Sequence, residues 1–270
     1  MKVTTPDWDT TGFFTRYKLL RETTINELNE IKGIDWDEEG NLWIVYNENI
    51  PVGNGFYEWV TRIAKLNYTD KTLSDTTFLN EYGYDDYQIA TEGNLIWFQK
   101  GSNPGILKAY NMETGQKEDS AFIYVNSSST SDMSLIYGSF VFINKNHEYE
   151  MINNLGDQLI SGTSPFGIYG IECEDLGIAF RDNLFWILNS FYEIAVTDLD
   201  GIMYNYIKTD LYNPNGYPDN IEKNTSNSSL SNLERETVPP PPDNGKIAIY
   251  NNKLALATYN GVVIYSIVEY

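Results

Sequence analysis

Five turn-then-strand units, recurring about every 40–50 residues, predict an all-β fold: a five-bladed β-propeller of four-stranded antiparallel blades. Three observations carry this reading. A short Gly/Asn/Asp turn repeatedly runs straight into a nearly continuous apolar strand. Each such strand is preceded by another short apolar run. One N-terminal strand-like segment has no partner of its own, and the last unit is one strand short.

The second strands open at Leu42 (LWIVY), Leu95 (LIWFQ), Phe140 (FVFIN), Leu184 (LFWIL) and Leu254 (LALAT), so their intervals are 53, 45, 44 and 70 residues. The turns before them are EEGN, TEGN, IYGS, FRDN and YNNK, and the runs before those are KGIDW, YQIA, MSLIY, LGIAF and KIAIY. Each unit thus begins with a hairpin. Its strand residues are β-branched or aromatic, as pleated strands prefer. Uniform apolarity, in place of alternation, is expected of strands buried on both faces between neighbouring blades. Further strands follow around the polar turns NYTD, NMETG and TDLDG, which suit Asx-turn and left-handed geometry.

The blades are expected near 30–80, 84–126, 131–163, 170–209 and 244–270, in one domain spanning 1–270. The long last interval holds the polar, Pro-rich segment 210–243, read as an inserted loop because it lacks periodic apolar residues. A sixth blade would need a sheet hidden there, which the composition does not support. The final unit ends after its third strand, and residues 13–22 (FFTRYKLLRE) supply a fourth. That pairing closes the ring and removes two open sheet edges.

The run GIDWDEEGNLWIVYN, continuing to RIAKLN, resembles the blade signature of NHL, SMP-30-like and two-component-regulator propellers. The resemblance is best in the first unit, and it implies architecture only, since such propellers include binding proteins, scaffolds and enzymes. The Glu, Asn and Asp metal set of an SMP-30-like lactonase cannot be mapped onto this chain residue by residue.

Composition narrows the function. The chain carries 38 acidic against 18 basic residues, a net charge of −20. Such a surface repels phosphate backbones and anionic lipid heads, so nucleic acid is not an expected partner. No run of about 18 apolar residues exists to span a membrane as a helix, and the first residues do not read as a signal peptide. Cys173 and His147 are single residues of their kinds. They allow no intrachain disulfide and no multi-histidine metal site. Cys173 reads as a small buried hydrophobe, and His147 as a turn residue.

The candidate metal ligands are the acids Asp35, Asp86, Asp132 and Asp175, placed with Glu30, Asp85 and Asp243 near the inner strands. Converging at the axial channel, they would suit a hard cation such as Ca2+. Their offsets from the second strands differ: nine residues for Asp86 and Asp175, eight for Asp132, eleven for Asp243. That favours strand-entry residues over a strict ring. The Asp35–Gly40 and Asp198–Gly201 clusters read as turns.

Loop aromatics, Phe56, Tyr57 and Trp59 in one cluster and Tyr82, Tyr84 and Tyr87 in another, are the candidate binding residues, because exposed Tyr and Trp serve protein and sugar surfaces alike. The favoured function is therefore a non-enzymatic interaction or structural module, binding a protein or glycan partner, in the manner of a virion or phage-tail component held in a larger assembly. The alternative is a propeller hydrolase of glycosidase or lactonase type, using channel carboxylates (Asp35, Asp86, Asp175) with or without Ca2+.

Overall fold

The computed structural model describes residues 17–26, 31–67, 70, 72–74, 77–82, 87–100, 106–124, 130–171, 173–211, 245–258 and 261–270. Strand β1 (Tyr17–Asn26) comes first. Blade 1 follows with β2 (Ile31–Trp36), β3 (Leu42–Gly53), β4 (Phe56–Asn67) and two short strands, β5 (Thr72–Leu73) and β6 (Thr77–Tyr82), both paired to β4. Blade 2 is β7 (Tyr87–Glu92), β8 (Leu95–Lys100), β9 (Ile106–Asn111) and β10 (Lys117–Tyr124). Blade 3 is β11 (Thr130–Ile136), β12 (Ser139–Asn144), β13 (Glu148–Ile152) and β14 (Gln158–Thr163). A single helical turn, α1 (Pro165–Ile168), leads to blade 4: β15 (Asp175–Arg181), β16 (Leu184–Asn189), β17 (Glu193–Thr197) and β18 (Met203–Lys208). Blade 5 is β19 (Ile247–Tyr250), β20 (Lys253–Thr258) and β21 (Gly261–Glu269).

All pairings are antiparallel, and β1 adds to β21, from Tyr17 opposite Glu269 to Asn26 opposite Gly261. The N-terminal strand thus completes the C-terminal blade, as expected from the unmatched segment. It lies about four residues further along than 13–22; residues 13–16 fall outside the described residues. So does nearly all of the 210–243 insertion.

The inner strands β2, β7, β11, β15 and β19 pack side by side, and β19 meets β2 to close the ring. One apolar cluster fills each of the five seams between blades. Strand β16 shows why its sequence is apolar throughout. Leu184, Trp186 and Leu188 pack toward blade 5, while Phe185 and Ile187 pack toward blade 3. Successive side chains point to opposite faces, and here both faces are seams. Burying each such side chain contributes about 1.5–3 kcal/mol.

Five turns share one device. Asp37, Asn144, Asn153, Asn189 and Asp198 each accept the backbone N–H groups two and four residues on, at 2.8–3.0 Å. Asn144, Asn153 and Asn189 also donate to the acid at the fourth position, Glu148, Asp157 and Glu193. The side chain replaces ladder bonds where the chain reverses. The DEEGN and DLDG clusters are such turns, as read from the sequence.

Candidate interaction arm and axial polar core

Blade 1 departs from the others. Its middle strands β3 and β4 run 12 residues each, while the equivalent strands elsewhere run five to nine. The β3–β4 ladder continues unbroken from Leu42 opposite Leu66 to Pro51 opposite Tyr57, whereas β2 leaves β3 at Tyr46. The six residues Asn47–Val52 therefore extend the hairpin by about 20 Å at the usual rise per residue. Its tip, Gly53-Asn54-Gly55, has φ of 99°, 53° and 78°. Two glycines and an asparagine tolerate that left-handed run.

The tip exposes Phe56 (71%), Tyr57 (65%) and Val52 (57%). Such a cluster on a protruding hairpin contributes nothing to the seams. Trp59 is half-buried, opposite Asn49. Lower down, the arm is anchored by a buried bond from Thr61 Oγ1 to Asn47 Oδ1 at 3.0 Å and by the Arg62–Glu48 ion pair. Phe56–Trp59 is thus strand, not loop: the reversal lies at the G-N-G just before it. Tyr82 is likewise in a strand, β6, with its Cα opposite Val60 on the same arm-bearing sheet. Tyr84 lies outside the described residues. Tyr87 opens the inner strand β7 opposite Lys100, in another blade.

Among the described residues the axial acids do not gather as one ring of ligands. Asp86 lies outside the described residues. Asp35 sits near the end of β2, half-buried, and is consumed by hydrogen bonds. Its Oδ2 accepts from Thr91 N (2.7 Å) and Thr91 Oγ1 (3.1 Å) in blade 2, and its Oδ1 from Trp36 N (2.9 Å). Asp132 sits on β11, four residues before its end, whereas Asp35 is one residue before the end of β2. Its Oδ2 accepts from Ile178 N of blade 4 (3.1 Å), and it also takes a backbone N–H from Ile247 of blade 5.

Counting four residues back from the last residue of each inner strand gives Lys32, Gln88, Asp132, Gly177 and Lys246. These equivalent positions of the five inner segments form a girdle of four polar residues and a glycine, and each of the four polar side chains is buried. Lys246 is fully buried, with Nζ against the Ser131 carbonyl and 3.6 Å from Asp132 Oδ1. Gly177 leaves the room Asp132 needs: a Cβ there would lie 3.1 Å from Asp132 Oδ2 and 3.0 Å from Ile247 N. Burial pushes Asp35 up to about 7, with Asp132 adding repulsion. Burial likewise pushes Asp132 up to about 6, against the pull of Lys246.

These shifts predict the pH dependence of stability. A carboxyl raised in the fold binds its proton more tightly there than in the unfolded chain, where the usual value is 3.8. Its stabilising contribution is complete below about pH 4 and is lost as pH rises through 6 to 7. His147, raised chiefly by its contact with Asp175, acts in the same direction above its usual 6.5. Asp37, Asp210 and Glu22 are lowered, so their contribution fades only under stronger acid. Melting temperature is expected to peak near pH 5 and fall by pH 8, with a shallower fall in Asp35→Asn. A flat or rising profile between pH 5 and 8 would contradict this assignment.

Asp175, at the start of β15, turns away from the axial girdle toward blade 3. It meets His147 of the β12–β13 turn, distant in sequence, and its near neighbour Cys173 of the link into blade 4. The girdle lysines, His147 and Cys173 were not sequence candidates, because neither motif nor spacing marks them; Asp175 was one, as a ligand expected at the axial channel.

No protein-family model matches the chain, and no curated protein matches it. Solved structures do. The glutaminyl cyclase of Myxococcus xanthus superposes with a TM-score of 0.60 at 10% identity, over 95% of this chain and 100% of that one. The virginiamycin B lyase of Staphylococcus aureus aligns with a TM-score of 0.46 at 16% identity, over 93% and 100%. BamB of Moraxella catarrhalis gives 0.37 at 10% identity, over 81% and 58%. The chain is a five-bladed β-propeller. At these identities the likeness concerns the fold alone.

Proposed function

We propose that this propeller is an interaction module that engages a protein partner through the β3–β4 arm. The carrying observation is the exposed Val52, Phe56 and Tyr57 at the tip of a hairpin that outruns its blade. An apolar anchor on a rigid strand pair is what a partner's pocket desolvates at low entropic cost. Phe56 and Val52 bear no side-chain hydrogen-bonding group, which favours a protein over a glycan, since sugar sites need polar groups beside the ring. The axial acids support the non-enzymatic reading. Asp35 and Asp132 spend their oxygens on backbone donors of other blades, whereas a hydrolase needs carboxylates facing an open pocket about 5–10 Å apart.

The test is affinity capture from the source extract with the wild-type chain and with Phe56→Ala/Tyr57→Ala. A partner held by the wild type and lost by the double variant, whose melting temperature stays within about 2 °C of wild type, is the expected result. Identical capture by both chains, or glycan-array binding that depends on Phe56, would overturn it.

A further inference from the structure

The seam between blades 3 and 4 assembles three different donor side chains that neither the arm nor the girdle uses. One ligand atom each from His147, Cys173 and Asp175 can be chosen so that all lie within 4.8 Å of one another. Asp175 is fully buried, yet neither of its oxygens has an aligned hydrogen-bond donor. His147 Nδ1 stands 3.1 Å from Oδ1 but is itself unaligned, and the Ser164 hydroxyl is beside it. A buried carboxylate left so loosely satisfied costs stability unless a cation joins it.

His147 is fixed for such a role. Its backbone is left-handed at φ 68°, a conformation that is strained for a non-glycine residue. Its N–H donates to Asn144 O (3.2 Å), and its carbonyl accepts from Ser164 N (2.7 Å). The imidazole also donates to the Cys173 carbonyl, the kind of outer hydrogen bond that orients metal-bound histidines.

Two other uses of the trio fit poorly. A nucleophilic cysteine needs a base facing its sulfur and a thiolate-favouring field. Here the imidazole faces Asp175 and a carbonyl, and Asp175, Glu174 and Glu193 surround the thiol with negative charge. Ca2+ takes six to eight oxygens, not one nitrogen, one sulfur and one carboxylate.

We infer that His147, Cys173 and Asp175 form a site for a thiophilic divalent transition ion of the Zn2+ class, with water as fourth ligand. Bonds of 2.0–2.3 Å in a tetrahedron separate ligand atoms by about 3.3–3.8 Å, so closure from separations within 4.8 Å asks for contraction of at most about 1.5 Å. His147 and Cys173 are only partly buried, which leaves an entry side and room for the water. Binding releases the thiol proton to solvent as the sulfur–metal bond forms. The ion ties the blade 3 turn to the start of blade 4.

The experiment is Co2+ titration of the full chain followed by absorption. One equivalent is expected to give a thiolate-to-cobalt charge-transfer band and tetrahedral visible bands, both displaced by Zn2+. Zn2+ is expected to raise the melting temperature reversibly, with chelator removing the effect. Cys173→Ser should lose the charge-transfer band, and His147→Gln should weaken affinity on the order of 100-fold. A wild-type cobalt spectrum without thiolate character overturns the inference and needs no variant to fold. So does an equal Zn2+ shift in Cys173→Ser. Either outcome leaves the arm proposal untouched, since the two sites share no residue.

Discussion

Removal of Tyr17–Asn26 is expected to abolish cooperative unfolding at ordinary temperatures. This strand contributes the outer ladder of blade 5 and reaches across the seam to blade 4. Tyr17 packs on Trp186 with ring centroids 5.0 Å apart, and its carbonyl accepts from the buried Asn205 Nδ2 at 3.0 Å. Arg21 pairs with Asp210 at 2.7 Å, and Ile25 fills the seam between blades 5 and 1. Two buried side chains at about 1.5–3 kcal/mol each, with the ladder and the exposed edge of β21, approach a whole domain stability of about 5–15 kcal/mol. Tyr17→Ala alone should cost about 3–5 kcal/mol. Denaturant unfolding monitored by tryptophan fluorescence checks both, and a truncated chain melting within about 5 °C of the full one would show that the ring closes without its N-terminal strand.

The second large effect belongs to the girdle. Asp132→Ala should destabilise by about 3–5 kcal/mol, because it leaves Lys246 buried beside lost charge. It also orphans the N–H groups of Ile178 and Ile247. Asp132→Asn keeps an acceptor for those groups and should cost less. Pairing Asp132→Asn with Lys246→Met should recover much of the loss, since replacing both ions by neutral groups of similar volume is often near neutral. A double-mutant cycle measures the coupling. Strictly additive losses would refute Asp132–Lys246 as a structural pair.

The architecture was legible because burial on both faces leaves a distinctive trace: apolar runs such as LFWIL broken by short polar turns. The closing strand was legible because FFTRYKLL had no neighbour in its own unit. The girdle was not. Its positions align only when counted from the ends of the inner strands. The first hairpin turn, with β2 ending at Trp36 and β3 opening at Leu42, is longer than the others, so offsets from the second strands lose register. Two of the girdle residues are lysines, which a search for acids passes over. The aromatic cluster at 56–59 was found, but as loop. G-N-G marks the reversal, yet the polar stretch NENIP before it gives little sign that the ladder continues. His147 is brought to the Cys173–Asp175 segment only by the seam.

The measurement that bears most directly on the proposed function is site-specific photo-crosslinking. A photoreactive phenylalanine is placed at Phe56 and, as a control, at Leu155, which is exposed on a turn of blade 3. One discrete adduct with a single protein is expected from the position-56 probe and none from position 155. No adduct at position 56, or the same adducts from both positions, would contradict the arm as the point of engagement.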